Sequence, residues 1–151
     1  VKRKILIMGL PGAGKTTLSL ELAKLLQGVH LNADEIRKEI NKDLGFSYDD
    51  RIEHAYRMGK FCDIINRSGH YAIADFVCPT LETRKAFGIT DNTFVVWVNR
   101  TPCRNFPDTT SMFVAPTSKE YNIQINDEGS PQYWAEYIKN ILQEANIEYK
   151  I

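Results

Sequence analysis

The chain has 151 residues, 19 Lys and Arg balanced by 19 Asp and Glu, 43% hydrophobic and 25% charged residues. That composition excludes a disordered, collagen-like or disulfide-stapled chain, and the length suits one domain over residues 1–151 that buries roughly two thirds of its unfolded surface. Zero net charge argues against a long nucleic acid as partner, so any phosphate has to be held by a local device.

The apolar runs at 5–10 and 94–98 are far shorter than the roughly 20 residues of a membrane helix. The basic start Val1-Lys2-Arg3-Lys4 meets Gly9 before a signal-peptide core could form. The expected location is therefore the cytoplasm. Cys62, Cys78 and Cys103 are odd in number and lack CxxC spacing, which fits packed or free thiols in a reducing compartment.

Strand-like and helix-like segments alternate, which predicts an α/β fold with a mainly parallel five-stranded sheet. Lys4–Met8 is a short apolar run stopped by Gly9 and reads as a buried strand. Lys15–Leu26 reads as a helix with Leu18, Leu22, Leu25 and Leu26 on one face and Gln27-Gly28 as its stop. A strand at 29–33, a brief helix at 34–40 and a long helix at 50–67 follow. Next come a strand at 71–77, a short helix at Leu81–Phe87 and a β-branched, aromatic strand at 94–98. Residues 99–120 carry three prolines and little periodicity, so they read as one long loop of lid type. A fifth strand is expected at 121–125. Ser130-Pro131 then opens a helix whose Tyr133, Trp134, Tyr137, Ile138, Ile141 and Leu142 recur at helical spacing. Residues 147–151 alternate weakly and suggest a short tail strand.

The strongest motif is Gly9-Leu10-Pro11-Gly12-Ala13-Gly14-Lys15-Thr16, a full match to GxxxxGK(S/T) between a predicted strand and a predicted helix. Glycines let backbone N–H groups turn inward around an anion, and the following helix adds its positive dipole end. Lys15 then reaches the β- and γ-phosphates of ATP, and the Thr16 hydroxyl can ligate Mg²⁺. Gly9, Gly12, Ala13, Gly14, Lys15, Thr16 and Thr17 form the expected ATP-binding set. The fold this predicts is a P-loop NTPase three-layer sandwich of nucleotide-kinase type. The length suits a small kinase that moves one phosphoryl group to a small acceptor, which needs a carboxylate to orient the acceptor hydroxyl and cations to stabilise charge.

Leu31-Asn32-Ala33-Asp34-Glu35-Ile36-Arg37 ends the second predicted strand in a carboxylate with an arginine three residues on. Strand C-termini of a parallel sheet open onto the ligand crevice, so Asp34 and Arg37 are expected to face the P-loop; the position of Asp34 also permits a helix N-cap, which is compatible with that role. With DLGFS at 43–47, DRIEHAYR at 50–57 and Val77-Cys78-Pro79, the chain resembles the adenylylsulfate kinases. Their patterns GLSGxGKTT, LDGDxIR, DLGFS, DRxENIRR and ISP run in the same order and spacing across about the first half. The resemblance implies ATP-dependent phosphorylation of the 3′-hydroxyl of adenosine 5′-phosphosulfate with Mg²⁺. Asp34 would act with Lys15 as the catalytic pair, Arg37 and Arg51 would hold the phosphosulfate, and Phe46 would stack on the acceptor adenine. Family members are often dimers, which extends the expectation of a homodimer to this chain.

Several positions depart from the family pattern. His54 replaces the Asn of DRxEN at an acceptor-binding position, and Cys78 replaces a Ser near the phosphates. Asp75 lies in the third strand where the family is usually apolar; it can hold Mg²⁺ through water or serve as a partnered structural acid. After residue 99 the resemblance is patchy. The RDxKGLY lid is absent, and a gap placed there matches Phe106 to the second stacking phenylalanine and Arg104 to a lysine. A shortened lid leaves Arg100, Arg104 and Arg84 as candidates for charge stabilisation and predicts a raised background ATPase rate. Two further readings stay open: a P-loop kinase for another hydroxyl, such as a nucleoside, a polynucleotide 5′-end or a small polyol, and a nucleotide-binding module with weakened catalysis.

Overall fold

Strand β1 (Lys4–Met8) is buried along its whole length, as a strand must be when helices cover both faces of its sheet. The computed structural model describes residues 2–100, 107–126 and 128–150. After β1 come α1 (Lys15–Leu26), β2 (Val29–Asn32), α2 (Ala33–Glu39), α3 (Tyr48–Arg67) and β3 (Ala72–Phe76). They are followed by α4 (Leu81–Phe87), β4 (Thr93–Val98), α5 (Pro107–Met112), β5 (Ile123–Ile125) and α6 (Pro131–Lys150). The sheet has five strands in the order β2-β3-β1-β4-β5, and every neighbouring pair is parallel.

Side chains alternate across the strands and so supply two cores. Ile5, Ile7, Ile73, Phe94 and Val96 meet Leu18 and Leu22 of α1 and Ala135, Ile138 and Leu142 of α6. Leu6, Met8, Ala72, Ala74 and Val95 meet Ala55, Met58 and Cys62 of α3 and Phe87 of α4. The result is the expected three-layer sandwich. On the second face α3 approaches α4 so closely that a Cβ on Gly59 would stand 2.0 Å from the Phe87 carbonyl oxygen.

Local chemistry sets the helix starts. Asn32 caps α2 by accepting the Glu35 N–H, Ser47 caps α3 through Asp50 N–H, and Thr80 and Thr83 form a reciprocal capping box on α4. Ser130 accepts the Tyr133 N–H at 3.1 Å, as its position before Pro131 predicts.

Besides shifts of one residue at the ends of β2, α2, β3 and β4, four expectations change. The Ser47 cap starts α3 at Tyr48, two residues before the predicted 50. The long loop contains the short helix α5. Strand β5 is trimmed to three residues because Asn122 already pairs with Val95 through its side chain and its own N–H. The tail strand at 147–151 is overturned: α6 continues its helical repeat to Lys150. Arg104 and Phe106, on which the proposed lid gap rests, lie outside the described residues. Among the described residues no helix is long and apolar enough to cross a membrane.

Candidate active site

The turn from β1 into α1, the expected phosphate-binding loop, is shaped by its glycine backbone. Gly9 passes so close to β4 that a Cβ would lie 2.4 Å from the Val98 carbonyl oxygen. Gly14, the N-cap of α1, sits at φ 94, a left-handed conformation that favours glycine. No side chain caps α1 and no acid stands in its first turn, so its leading N–H groups and dipole are left for an anion. The Lys15 ammonium folds onto the Leu10 carbonyl at 2.9 Å. Burial lowers the Lys15 pKa, while the carboxylates of Asp75 and Asp34 oppose the shift.

The acceptor-side residues form a second cluster. Phe46 projects from the α2–α3 loop with 63% of its surface exposed, which settles its reading against a core residue. Arg37 of α2 lies 4.4 Å and Arg51 of α3 5.5 Å from its ring centroid. The loop is fixed by these same arginines, since Arg37 donates to Gly45 O and Arg51 donates to Phe46 O at 2.9 Å. Arg51 also donates to the Thr109 hydroxyl of α5 at 3.0 Å, joining the long loop to this cluster. Burial is the main cause that lowers the Arg37 pKa, and the Arg51 charge adds to it.

Both clusters line one cavity of about 570 Å³ together with Asp34. Asp34 stands in the first turn of α2, and the cap of that helix is Asn32, so the alternative reading of Asp34 as N-cap is overturned. Its carboxylate acts electrostatically on both Lys15 and Arg37.

Asp75 is 2% exposed and accepts from the Thr16 hydroxyl at 3.3 Å, from Asn32 Nδ2 at 3.3 Å and from His30 Nε2. Asn32 Nδ2 also donates to the Thr16 hydroxyl at 3.2 Å. Sequence reading had singled out neither His30 nor Asn32. The available signal was register: in a parallel pair ending at the crevice, Asn32 faces Asp75 and His30 precedes it on the same face. A hydroxyl beside a carboxylate at a phosphate cradle is a donor set suited to a hard divalent cation.

Other expected contributors are committed elsewhere. His54 is 1% exposed; its Nε2 donates to Ala33 O at 3.1 Å and its Nδ1 accepts from Asn41 Nδ2 at 3.0 Å. It lines the cavity as a ring whose polar atoms are already engaged, and burial pushes its pKa down to about 4. Arg84 is corrected as a source of charge stabilisation. It is 1% exposed and spans Cys78 O, Val114 O and Glu120, so it serves as a buried strut. Arg100 donates to Asn126 O and Gly129 O, and its Nη1 lies 3.6 Å from where a Cβ on Gly14 would stand. Cys78 is fully buried, and burial pushes its thiol up to about 12.

The family model for adenylylsulphate kinase matches residues 2–105. The chain belongs to the adenylylsulphate kinase family. It is 40% identical over 76 residues to the adenylyl-sulfate kinase of Staphylococcus haemolyticus (strain JCSC1435), covering 47% of this chain and 38% of the relative. It is 39% identical over 83 residues to that of Bacillus velezensis (strain DSM 23117 / BGSC 10A6 / LMG 26770 / FZB42), covering 52% of this chain and 42% of the relative. The matched stretch thus spans less than half the length of either adenylyl-sulfate kinase. The structure of the Mycobacterium tuberculosis APS kinase CysC in complex with AMPPNP and APS superposes with a TM-score of 0.81 at 20% identity, covering 94% of this chain and 98% of that one. At that identity the likeness establishes the adenylylsulphate kinase fold and nothing further.

Proposed function

We propose that the protein transfers the γ-phosphoryl group of ATP to the 3′-hydroxyl of adenosine 5′-phosphosulfate, yielding 3′-phosphoadenylylsulfate and ADP. The observation that carries this reading is the shared cavity, lined by the P-loop, by an Arg–Phe–Arg cluster and by Asp34. The α1 N-terminus and Lys15 bind the triphosphate. Phe46 offers a flat apolar face to the acceptor base, and Arg37 and Arg51 supply forked donors for phosphate and sulfate oxygens.

In the transfer, Asp34 accepts the 3′-hydroxyl proton as that oxygen bonds to the γ-phosphorus. The bond from the γ-phosphorus to the β,γ-bridging oxygen breaks, and ADP leaves with the electron pair. Lys15 neutralises charge on the transferring group. Thr16, with Asp75 behind it, would hold Mg²⁺ brought in with ATP, and that cation would supply further neutralisation of the β- and γ-phosphates. Asp75 suits that place because it accepts the Thr16 hydroxyl hydrogen bond, and with Asn32 donating to the same oxygen one Thr16 lone pair is left for a cation.

The test is a product assay with labelled ATP and Mg²⁺ against adenylylsulfate, nucleosides, gluconate-like polyols and 5′-hydroxyl oligonucleotides. Labelled 3′-phosphoadenylylsulfate is the expected dominant product; another labelled product reassigns the acceptor, and ATP binding without transfer reduces the protein to a nucleotide-binding module. Asp34→Ala is expected to lower turnover by at least ~100-fold while ATP affinity is kept. Arg51→Ala is expected to raise KM for adenylylsulfate, with KM for ATP near the original value.

A further inference from the structure

Polar groups at the ends of β2 and β3 are arranged more tightly than a sheet end requires. Asn32 and Asp75 are register partners, and His30 lies two residues earlier on β2, on the same face as Asn32. Three donors converge on the buried Asp75 carboxylate. Oδ1 accepts from Thr16 and from Asn32, while Oδ2 accepts from Asn32 and from His30 Nε2. The His30 side chain is itself 13% exposed and stands on the edge strand β2.

We propose that His30 is a positioning residue that, together with Asn32, fixes the Asp75 carboxylate in the rotamer that receives the Thr16 hydroxyl proton. This rests on the reading of Asp75 as the outer partner of the metal. The physical need is specific. A carboxylate turns about a broad terminal torsion, so a single bond to Thr16 would leave it free to swing. Holding Oδ2 from His30 pins that torsion and presents Oδ1 to Thr16. The Thr16 hydroxyl has one proton and two lone pairs; with its proton directed to Asp75 and one lone pair taken by Asn32 Nδ2, one lone pair is left for the metal. Asn32 adds a second constraint, because its amide bonds both Thr16 and Asp75 while its carbonyl caps α2. Groups that orient a metal ligand from behind are worth about 10–100-fold in metal affinity when removed.

The test measures Mn²⁺ affinity of the full chain saturated with AMPPNP, by the electron paramagnetic resonance signal of free Mn²⁺, alongside metal-free AMPPNP affinity. Neither readout involves the acceptor or turnover. His30→Phe keeps a ring but removes the donor; His30→Gln keeps a donor on a side chain of similar reach. His30→Phe is expected to weaken Mn²⁺ binding by about 10-fold or more and His30→Gln by less than about 3-fold, with metal-free AMPPNP affinity unchanged in both. Equal Mn²⁺ affinity in the two variants, whether both retained or both lost, overturns the role given to His30, and so does a matching loss of metal-free nucleotide binding. Asp75→Asn separates the two readings. If it weakens Mn²⁺ binding while His30→Phe does not, the inference fails and the Asp75 reading stands; if Asp75→Asn also binds Mn²⁺ normally, both fail.

Discussion

His54 carries a stability cost that depends on pH. Its ring is buried with both nitrogens engaged in the neutral form, and its pKa falls from 6.5 to about 4, mainly through burial, with the cations of Arg37 and Arg57 adding to the shift. Between those values the unfolded chain binds a proton that the folded chain refuses. Stability is therefore fully present above about pH 6.5 and declines as pH drops toward about 4, at up to ~1.4 kcal/mol per unit. Urea unfolding from pH 7.5 to 4.5 is expected to show this decline, and His54→Asn, which does not titrate, is expected to flatten it. An equal slope in the variant would assign the decline to other groups. The Arg84 side chain poses a different kind of cost. Three diverging acceptors surround its guanidinium, so Arg84→Met takes the donor from the Cys78 and Val114 carbonyls and leaves Glu120 with its Thr117 partner, and is expected to cost about 2–4 kcal/mol in denaturant unfolding. Arg84→Lys is expected to recover little of it, since one ammonium cannot match a planar fork.

Among the elements, the contact of α3 with α4 is the least tolerant. The Gly59 approach to Phe87 O leaves no room for a methyl group, and the obstacle is backbone. Gly59→Ala is expected to force the helices apart and lower Tm by more than about 5 °C, measured calorimetrically. A smaller shift would mean that α4 can slide. The elements themselves were largely legible beforehand. Strand β1, helix α1 and helix α4 are found at the residues their patterns indicated, because each carries its own boundary signal: Gly9, Gln27-Gly28 and the Thr80 cap. The failures share a cause too. The tail strand was read from weak alternation over a few residues, where a helix already more than four turns long propagates at little cost per residue. Helix α5 starts at Pro107 in a polar, proline-bearing stretch without apolar periodicity, so nothing local distinguished it from loop.

For the molecule as a whole, a net charge of zero hides a concentration of cations in one cavity, at Lys15, Arg37 and Arg51. Affinity for a 5′-hydroxyl oligonucleotide is expected to stop rising beyond the few nucleotides that fit there. In fluorescence anisotropy its log–log salt slope is expected to be no steeper than about −2, where each neutralised phosphate of a single strand contributes about −0.7. A slope that steepens with strand length would reveal a second basic surface. Lys15, Asp34 and Arg37 were readable from motif spacing, since the loop and the strand ends dictate their placement, whereas Arg51 came only from the family resemblance. The partners of Asp75 were not, because contacts across a register depend on which strands become neighbours, and β2 joins β3 only through the crossover of the folded sheet. Asn32 has one more consequence. Its amide holds the Thr16 hydroxyl while its carbonyl caps the helix that bears Asp34 and Arg37, so coupling between the two ends of the cavity is the expected outcome. Thermodynamics then requires symmetry: by whatever factor bound nucleotide changes the affinity for acceptor, bound acceptor changes the affinity for nucleotide by the same factor. Paired calorimetric titrations of the two ligands, each with and without the other, should return one common coupling free energy, and it should shrink toward zero in Asn32→Ala.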